Sequence, residues 1–280
     1  MEEKKNDFVA MVDRMPAFPR SVHRVLELAS DIDCDPKELV EVISHDPVLI
    51  LKILKLVNSA YFGLVQKITS VNHAVVYLGF NTVKNLALST AAIGMLPRRN
   101  EAGFNMDAFL LHSLSTAIIA RLFAKKMNIS EKESFDYFLS GLLHDFGKVV
   151  FAHFMPHEFQ RALQRAKEKE AHLYEAENEM LGINHTEVGS LLGEKWRLPA
   201  NIVEALRGHH TRDGGLLLTE VVFASNQISK ALKIGDSGEH IVEELPGKIT
   251  GTFGTAIEGI VDSLGDVKAE LEKAMVFVSL

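Results

Sequence analysis

Apolar residues recur at helical spacing along most of the chain. Val22, Val25, Leu26 and Ala29 fall at i, i+3, i+4 and i+7, on one face of a helix. Asp35-Pro36-Lys37-Glu38 is a helix start: an acid at the N-cap, Pro at the first helical position, and Glu three residues after the cap. Leu39, Val42 and Ile43 continue it. His45-Asp46-Pro47 restarts the pattern, with Leu49, Ile53, Leu54 and Val57 as the next buried stripe. Ser70 can cap a further helix, Gly79 can end it in a left-handed conformation, and Asn81 begins a run through Leu96. Pro97, Gly103 and the charges between them break the pattern, which sets a subdomain boundary there. Beyond it, spacing predicts a helix over 109–127 and another from an N-cap at Ser130 to about His144. Further helices are expected over 148–168, 172–181, 184–195, 199–208 and 216–233. Residues 234–256 are rich in Gly and polar side chains and predict a loop, with terminal helices within 257–276. Nothing alternates long enough to build a sheet, so the expected fold class is all-α, in segments 8–104, 105–233 and 234–280.

Composition narrows the classes. With 280 residues, 47% hydrophobic and 24% charged, the chain can bury a substantial core and is not globally disordered. A net charge of −7 argues against a protein that neutralises phosphates along a duplex. Arg98-Arg99 and the mixed run from Arg161 to Glu170 are the only hints of a nucleic-acid partner, and the run reads better as a solvated helix face. Cys34 is the only cysteine, so no intramolecular disulfide can form, and the flanking Asp33 and Asp35 disfavour its thiolate. The N-terminus lacks the apolar core of a secretory signal, and no apolar run approaches the roughly 18 residues of a membrane span. The expectation is a cytoplasmic protein with no membrane partner.

Candidate chemistry lies in the second half. His144-Asp145 ends a helix and is followed by Phe146-Gly147-Lys148, so a His and an Asp can reach one cation while Lys148 meets a nearby anion. The similar pair His45-Asp46 reads as a helix cap before Pro47. His112 stands alone among Leu110, Leu111, Leu114 and Ile118, the usual setting of a core histidine. His185 starts a helix, and His209-His210 end one. Imidazole nitrogen and carboxylate oxygen suit borderline divalent cations. Each residue has a packing explanation by itself, but taken in order they are hard to dismiss as packing alone. Asn58 and Ser59 follow the Leu49–Val57 stripe. They are expected to satisfy carbonyls at that helix end, or else to form a ligand surface.

The order of these residues resembles the HD superfamily of metal-dependent phosphohydrolases, whose site runs His, then His-Asp, then a later Asp. The chain more closely resembles the HDOD proteins, HD-related output domains of bacterial signalling. The likeness is carried by Met15-Pro16-Ala17-Phe18-Pro19, by Asp46-Pro47-Val48-Leu49 through Asn58-Ser59-Ala60-Tyr61-Phe62-Gly63, by Thr69-Ser70-Val71 to Leu78-Gly79, by His112-Ser113-Leu114, and by Gly141 through Lys148. It covers about residues 8–232. It implies an N-terminal helical bundle followed by an HD-domain-like helical bundle.

The second half is also similar to the HD-GYP phosphodiesterases of cyclic di-GMP, with His112, His144, Asp145, Lys148, His185, His209 and His210 falling where that family has metal or phosphate ligands. Three features depart from the pattern. Asn226 stands where the last Asp ligand is expected, so an amide oxygen replaces a charged one. Only Thr211-Arg212-Asp213-Gly214-Gly215 follows His210, without a GYP loop. Ala108 precedes His112 where some relatives carry an acid.

The resemblance therefore implies a regulatory protein that acts through a signalling partner or a nucleotide ligand. Its residual metal site would comprise His112, His144, Asp145, His185, His209, His210 and Asn226, for a divalent Fe, Mn, Zn or Ni ion. The alternative is a phosphohydrolase acting on a nucleotide or cyclic dinucleotide, with Lys148 and Asp145 catalytic.

Overall fold

Capping side chains legible in the sequence, Asp35, Asp46 and Ser70, start three helices of the N-terminal half. The computed structural model describes residues 2–29, 35–97, 99–254 and 256–279, with side chains from Phe8 onward except those of residues 29 and 132. Cys34 and Arg98 lie outside the described residues. After α1 (Glu2–Arg14) and α2 (Arg20–Ala29), Asp35 caps α3 (Pro36–Ser44) by accepting from Lys37 N. Asp46 caps α4 (Pro47–Val57) by accepting from Leu49 N at 3.0 Å, which confirms the cap reading of His45-Asp46. Ser70 caps α5 (Val71–Leu78), and Gly79, at φ 86°, turns the chain into α6 (Phe80–Gly94). Asn58 ties the end of α4 to the following loop. Its amide donates to Leu54 O and Ile68 O, and its carbonyl accepts from Ile68 N, all at 2.8 Å. The carbonyl-satisfying role expected of Asn58 and Ser59 is the observed one, since Ser59 Oγ donates to Leu56 O.

The second half begins with α7 (Met106–Lys126), capped by Asn105, and α8 (Glu131–Leu143), capped by Ser130. At 21 residues α7 is long and apolar enough to cross a bilayer, contrary to the expectation that no run reaches that length. However, 72% of its apolar window is buried within the fold. The helix expected over 148–168 is two helices, α9 (Phe146–Phe154) and α10 (Pro156–Lys169). Pro156 cannot donate into a continuing ladder and disfavours helical backbone at Met155, so the chain restarts with Pro at the first helical position. Next come α11 (Leu173–Met180), α12 (His185–Lys195), α13 (Ala200–Gly208) and α14 (Leu217–Ala231).

The expected loop over 234–256 contains a short helix, α15 (Gly247–Phe253), begun by Pro246. It is followed by α16 (Ile257–Leu264), α17 (Val267–Ala274) and a 3-10 turn at Met275–Phe277. No strand occurs among the described residues.

One hydrophobic cluster runs from Phe8 to Phe277 and joins both halves. Trp196 stacks on Phe18 at 4.4 Å, so the Met15–Pro19 motif packs beside α12. Lys195 Nζ donates to the carbonyls of Val12, Asp13 and Met15 at 2.7–2.8 Å, satisfying the end of α1. A second cluster lies between α7, α14 and the terminal helices, of which α16 and α17 pack on α7 and α15 on α14. Phe277 then reaches the rings of Tyr61 and Phe138 at 5.6 and 5.2 Å, and Lys55 donates to Ser279 O. The C-terminal helices thus clasp the two halves.

Candidate metal centre

Two glycines flanking His144-Asp145 allow the site to assemble. A Cβ on Gly141 would lie 2.7 Å from Ala117 Cα and 2.9 Å from Thr116 O, so α8 meets α7 backbone to backbone. One turn along each helix from this contact stand His144 and His112. A Cβ on Gly147 would overlap the His185 carbonyl, and Gly189 faces it across the gap, so the start of α9 crosses the start of α12 at van der Waals distance. Asp145, between α8 and α9, is thereby surrounded by α7, α12 and the end of α13.

Asp145 is fully buried and at the centre. Its Oδ1 lies 3.2 Å from His185 Nε2 and 3.4 Å from His209 Nε2. Its Oδ2 lies 3.2 Å from His144 Nε2, 3.9 Å from His112 Nε2 and 2.7 Å from Lys148 Nζ. His210 joins through His185, Nε2 to Nε2 at 3.1 Å. The rings of His112 and His144 are 5.4 Å apart, as the expected shared site requires. Potential ligand atoms fall into two groups that share Asp145: Asp145, His185, His209 and His210, and His112, His144 and Asp145.

For His144, His185 and His209 the far side of the ring fixes the tautomer. His144 Nδ1 donates to Gly141 O and His209 Nδ1 to Leu206 O, both at 2.8 Å, while His185 Nδ1 donates to Glu177 Oε2 at 2.6 Å. Carbonyl and carboxylate oxygens only accept, so in the neutral rings each Nε2 presents a lone pair toward Asp145. His112 Nδ1 meets Ser229 Oγ at 3.2 Å, and Ser229 is bonded in turn to Ser115.

Burial, then the neighbouring His144, holds His112 well below the usual imidazole pKa. Burial also depresses His210 and takes His209 down to about 3. For His185, burial opposes protonation, but Glu177 prevails and the pKa is raised. Burial would raise Asp145, yet His144 and Lys148 keep it well below the carboxylate range. With the rings neutral, as metal ligation requires, a buried carboxylate faces nitrogen lone pairs. His112 Nε2, His144 Nε2 and Asp145 Oδ1 have no hydrogen-bond partner. Such a set is unfavourable without a cation, and a divalent ion that accepts N and O donors fits it.

Residues 15–212 match the HDOD domain family. The chain belongs to the HDOD domain family. The fold is shared with an HDOD domain protein of Geobacter sulfurreducens (TM-score 0.74, 23% identity, 99% of this chain and 96% of that one). It is shared equally with a candidate phosphohydrolase of Shewanella amazonensis (TM-score 0.73, 23% identity, 96% and 97%). A candidate signal transduction protein of Marinobacter aquaeolei has the same fold (TM-score 0.74, 20% identity, 99% and 66%). In sequence, an uncharacterized protein of Treponema pallidum is 25% identical over 247 residues, covering 86% of this chain; the match spans 46% of that relative, about half its length.

The HDOD fold thus brings together His112, His144, Asp145, Lys148, His185, His209 and His210. Asn226 lies on α14 one turn before Ser229, buried, with Oδ1 unpartnered. Sequence reading missed Glu177, which also accepts from His185 N at 2.8 Å. The available signal was its position: it shares the buried face of α11 with Leu173 and Ala176, where an unpaired carboxylate would be costly. Ser237 was missed as well. Its carbonyl accepts from Lys148 at 3.0 Å, a contact made across 89 residues.

Proposed function

We propose that this HDOD domain is a metal-binding regulatory module of bacterial signalling that acts through a partner or nucleotide ligand. The observation that carries the metal reading is Asp145, buried between lone-pair nitrogens whose opposite ring atoms are already held by Gly141, Leu206 and Glu177. Asp145, His185, His209 and His210 would hold one divalent ion, and His112, His144 and Asp145, with the Asn226 amide, a second. Such an ion supplies Lewis acidity toward a phosphoryl oxygen. A regulatory role is favoured over turnover by the surroundings. Lys148 is engaged with Asp145 and Ser237 O, Gly235 packs against α7 at His112, and Asn226 brings no charge.

The second reading, a phosphohydrolase of nucleotides or cyclic dinucleotides, is supported by five imidazoles beside a buried lysine, as in the HD-GYP pattern. Elemental analysis of the purified protein and a phosphodiesterase screen with cyclic dinucleotides separate the two. The regulatory reading expects one to two equivalents of Mn, Fe, Zn or Ni and no turnover. Metal with turnover moves the assignment to the hydrolase, and absence of uptake from metal-supplemented buffer overturns the metal reading altogether.

A further inference from the structure

The segment between α14 and α15 runs over the cluster as a pinned strap. Asp236 N donates to Ala108 O at 3.0 Å, and Glu243 N donates to Gln227 Oε1 at 2.9 Å. Gly235, at φ 69°, lies so close to α7 that a Cβ would overlap Ala108 O and His112 N. Between the strap and α14 remains a cavity of about 430 Å³, whose wall includes His112, Lys230 and Glu239.

Lys230 is the anomaly in this wall. Its side chain is 2% exposed, and none of its three N–H donors has a hydrogen-bond partner. The nearby carboxylate, Glu239 Oε1, stands 3.6 Å away, beyond the roughly 2.7–2.9 Å of a charge-assisted hydrogen bond. Glu239 is turned instead to His172 Nδ1 at 2.7 Å. An ammonium left this way loses its hydration without replacement, a cost that an acceptor-rich ligand would remove. A tetrahedral phosphate offers several acceptor oxygens and negative charge. His112 of the metal cluster lines the same cavity.

We propose that Lys230 is the binding residue of a phosphate subsite beside the cluster, and that Glu239 is the resident carboxylate a ligand phosphate displaces. This names the ligand class of the proposed metal centre and rests on that reading. The ligand is a phosphomonoester or phosphodiester, and displacement of Glu239 would loosen the strap, coupling occupancy of the site to the outer surface.

The test is calorimetric titration of the full chain, treated with chelator, with inorganic phosphate. Glu239→Gln should bind phosphate at least about ten-fold more tightly than the wild type, because the competing charge is gone. Lys230→Met should bind none measurably, and the double variant should match Lys230→Met. Methyl phosphate and dimethyl phosphate then distinguish a monoester from a diester ligand. An unchanged affinity in a Glu239→Gln variant with a native melting curve overturns the proposal. So does an equal gain in the double variant, which would show that loosening alone admits phosphate. Should Glu239→Gln fail to fold, Glu239→Asp withdraws the carboxylate by one methylene and must show a smaller gain. Metal uptake by the same proteins, titrated separately, reports on the centre itself, so loss of one reading is distinguishable from loss of the other.

Discussion

Glu177 holds His185 twice: one carboxylate oxygen accepts from the His185 backbone N at 2.8 Å and from its Nδ1 at 2.6 Å. The first bond seats the start of α12; the second fixes the tautomer that aims Nε2 at Asp145. Outer carboxylates of this kind also raise the basicity of the ligating nitrogen. Glu177→Gln keeps an acceptor but removes the charge, and is expected to weaken divalent-metal binding about 10–100-fold. Competition against a chelator of known affinity measures it, and an unchanged affinity would show that Glu177 serves only the fold.

Gly147 tests the helix crossing. Gly147→Ala places a methyl on the His185 carbonyl, and backbone cannot yield as a flexible side chain can. Overpacking commonly costs about 1–3 kcal/mol, and a backbone clash should reach at least the top of that range. Gly259 in α16 is the control, because a Cβ there meets nothing within 4 Å. Gly259→Ala should instead stabilise by roughly 0.5–1 kcal/mol through helix propensity. Urea denaturation of both variants gives the comparison.

Asn226→Asp should change sign with metal. In chelator it buries a further carboxylate where the amide Oδ1 has no hydrogen-bond partner, and the melting temperature should fall. With Mn²⁺ or Fe²⁺ supplied, a charged oxygen should raise occupancy and lift the melting temperature above that of the wild type by mass action. Identical melting with and without metal would remove Asn226 from the ligand set.

Acid should unfold the metal-free protein early. His209 has a folded pKa of about 3, below its unfolded value of 6.5, so between those values the unfolded chain binds the extra proton. Stability therefore rises with pH through this window and is lost on acidification from about pH 6.5 toward 3. The shift corresponds to something on the order of 4–5 kcal/mol, and His112 and His210 act in the same direction. Asp145, whose pKa is depressed, adds a further loss below its unfolded value of 3.8. Thermal melts from pH 7.5 to 4 in chelator should decline steeply. His209→Gln should flatten that decline, and a slope unchanged by the substitution would count against this account.

Local chemistry was legible along the chain. Asp35, Asp46, Ser70 and Ser130 cap the helices they precede because a cap is an interaction over two or three residues. The histidines and Asp145 could be singled out because their side chains have few uses in an apolar helix. The break at Pro156 was equally local, but apolar spacing runs through it from Val149 to Ala162 and outweighed it. What only the tertiary structure decided were partnerships between distant segments. Glu177 faces His185 because the chain turns back between α11 and α12, Ser229 meets His112 across 117 residues, and Lys148 reaches the carbonyl of Ser237. The polar composition of residues 234–246 announces a loop but not its destination. Where that loop lies is set by Gly235 fitting against α7 and by Glu239 facing Lys230 and His172, contacts that exist only once the helices have packed.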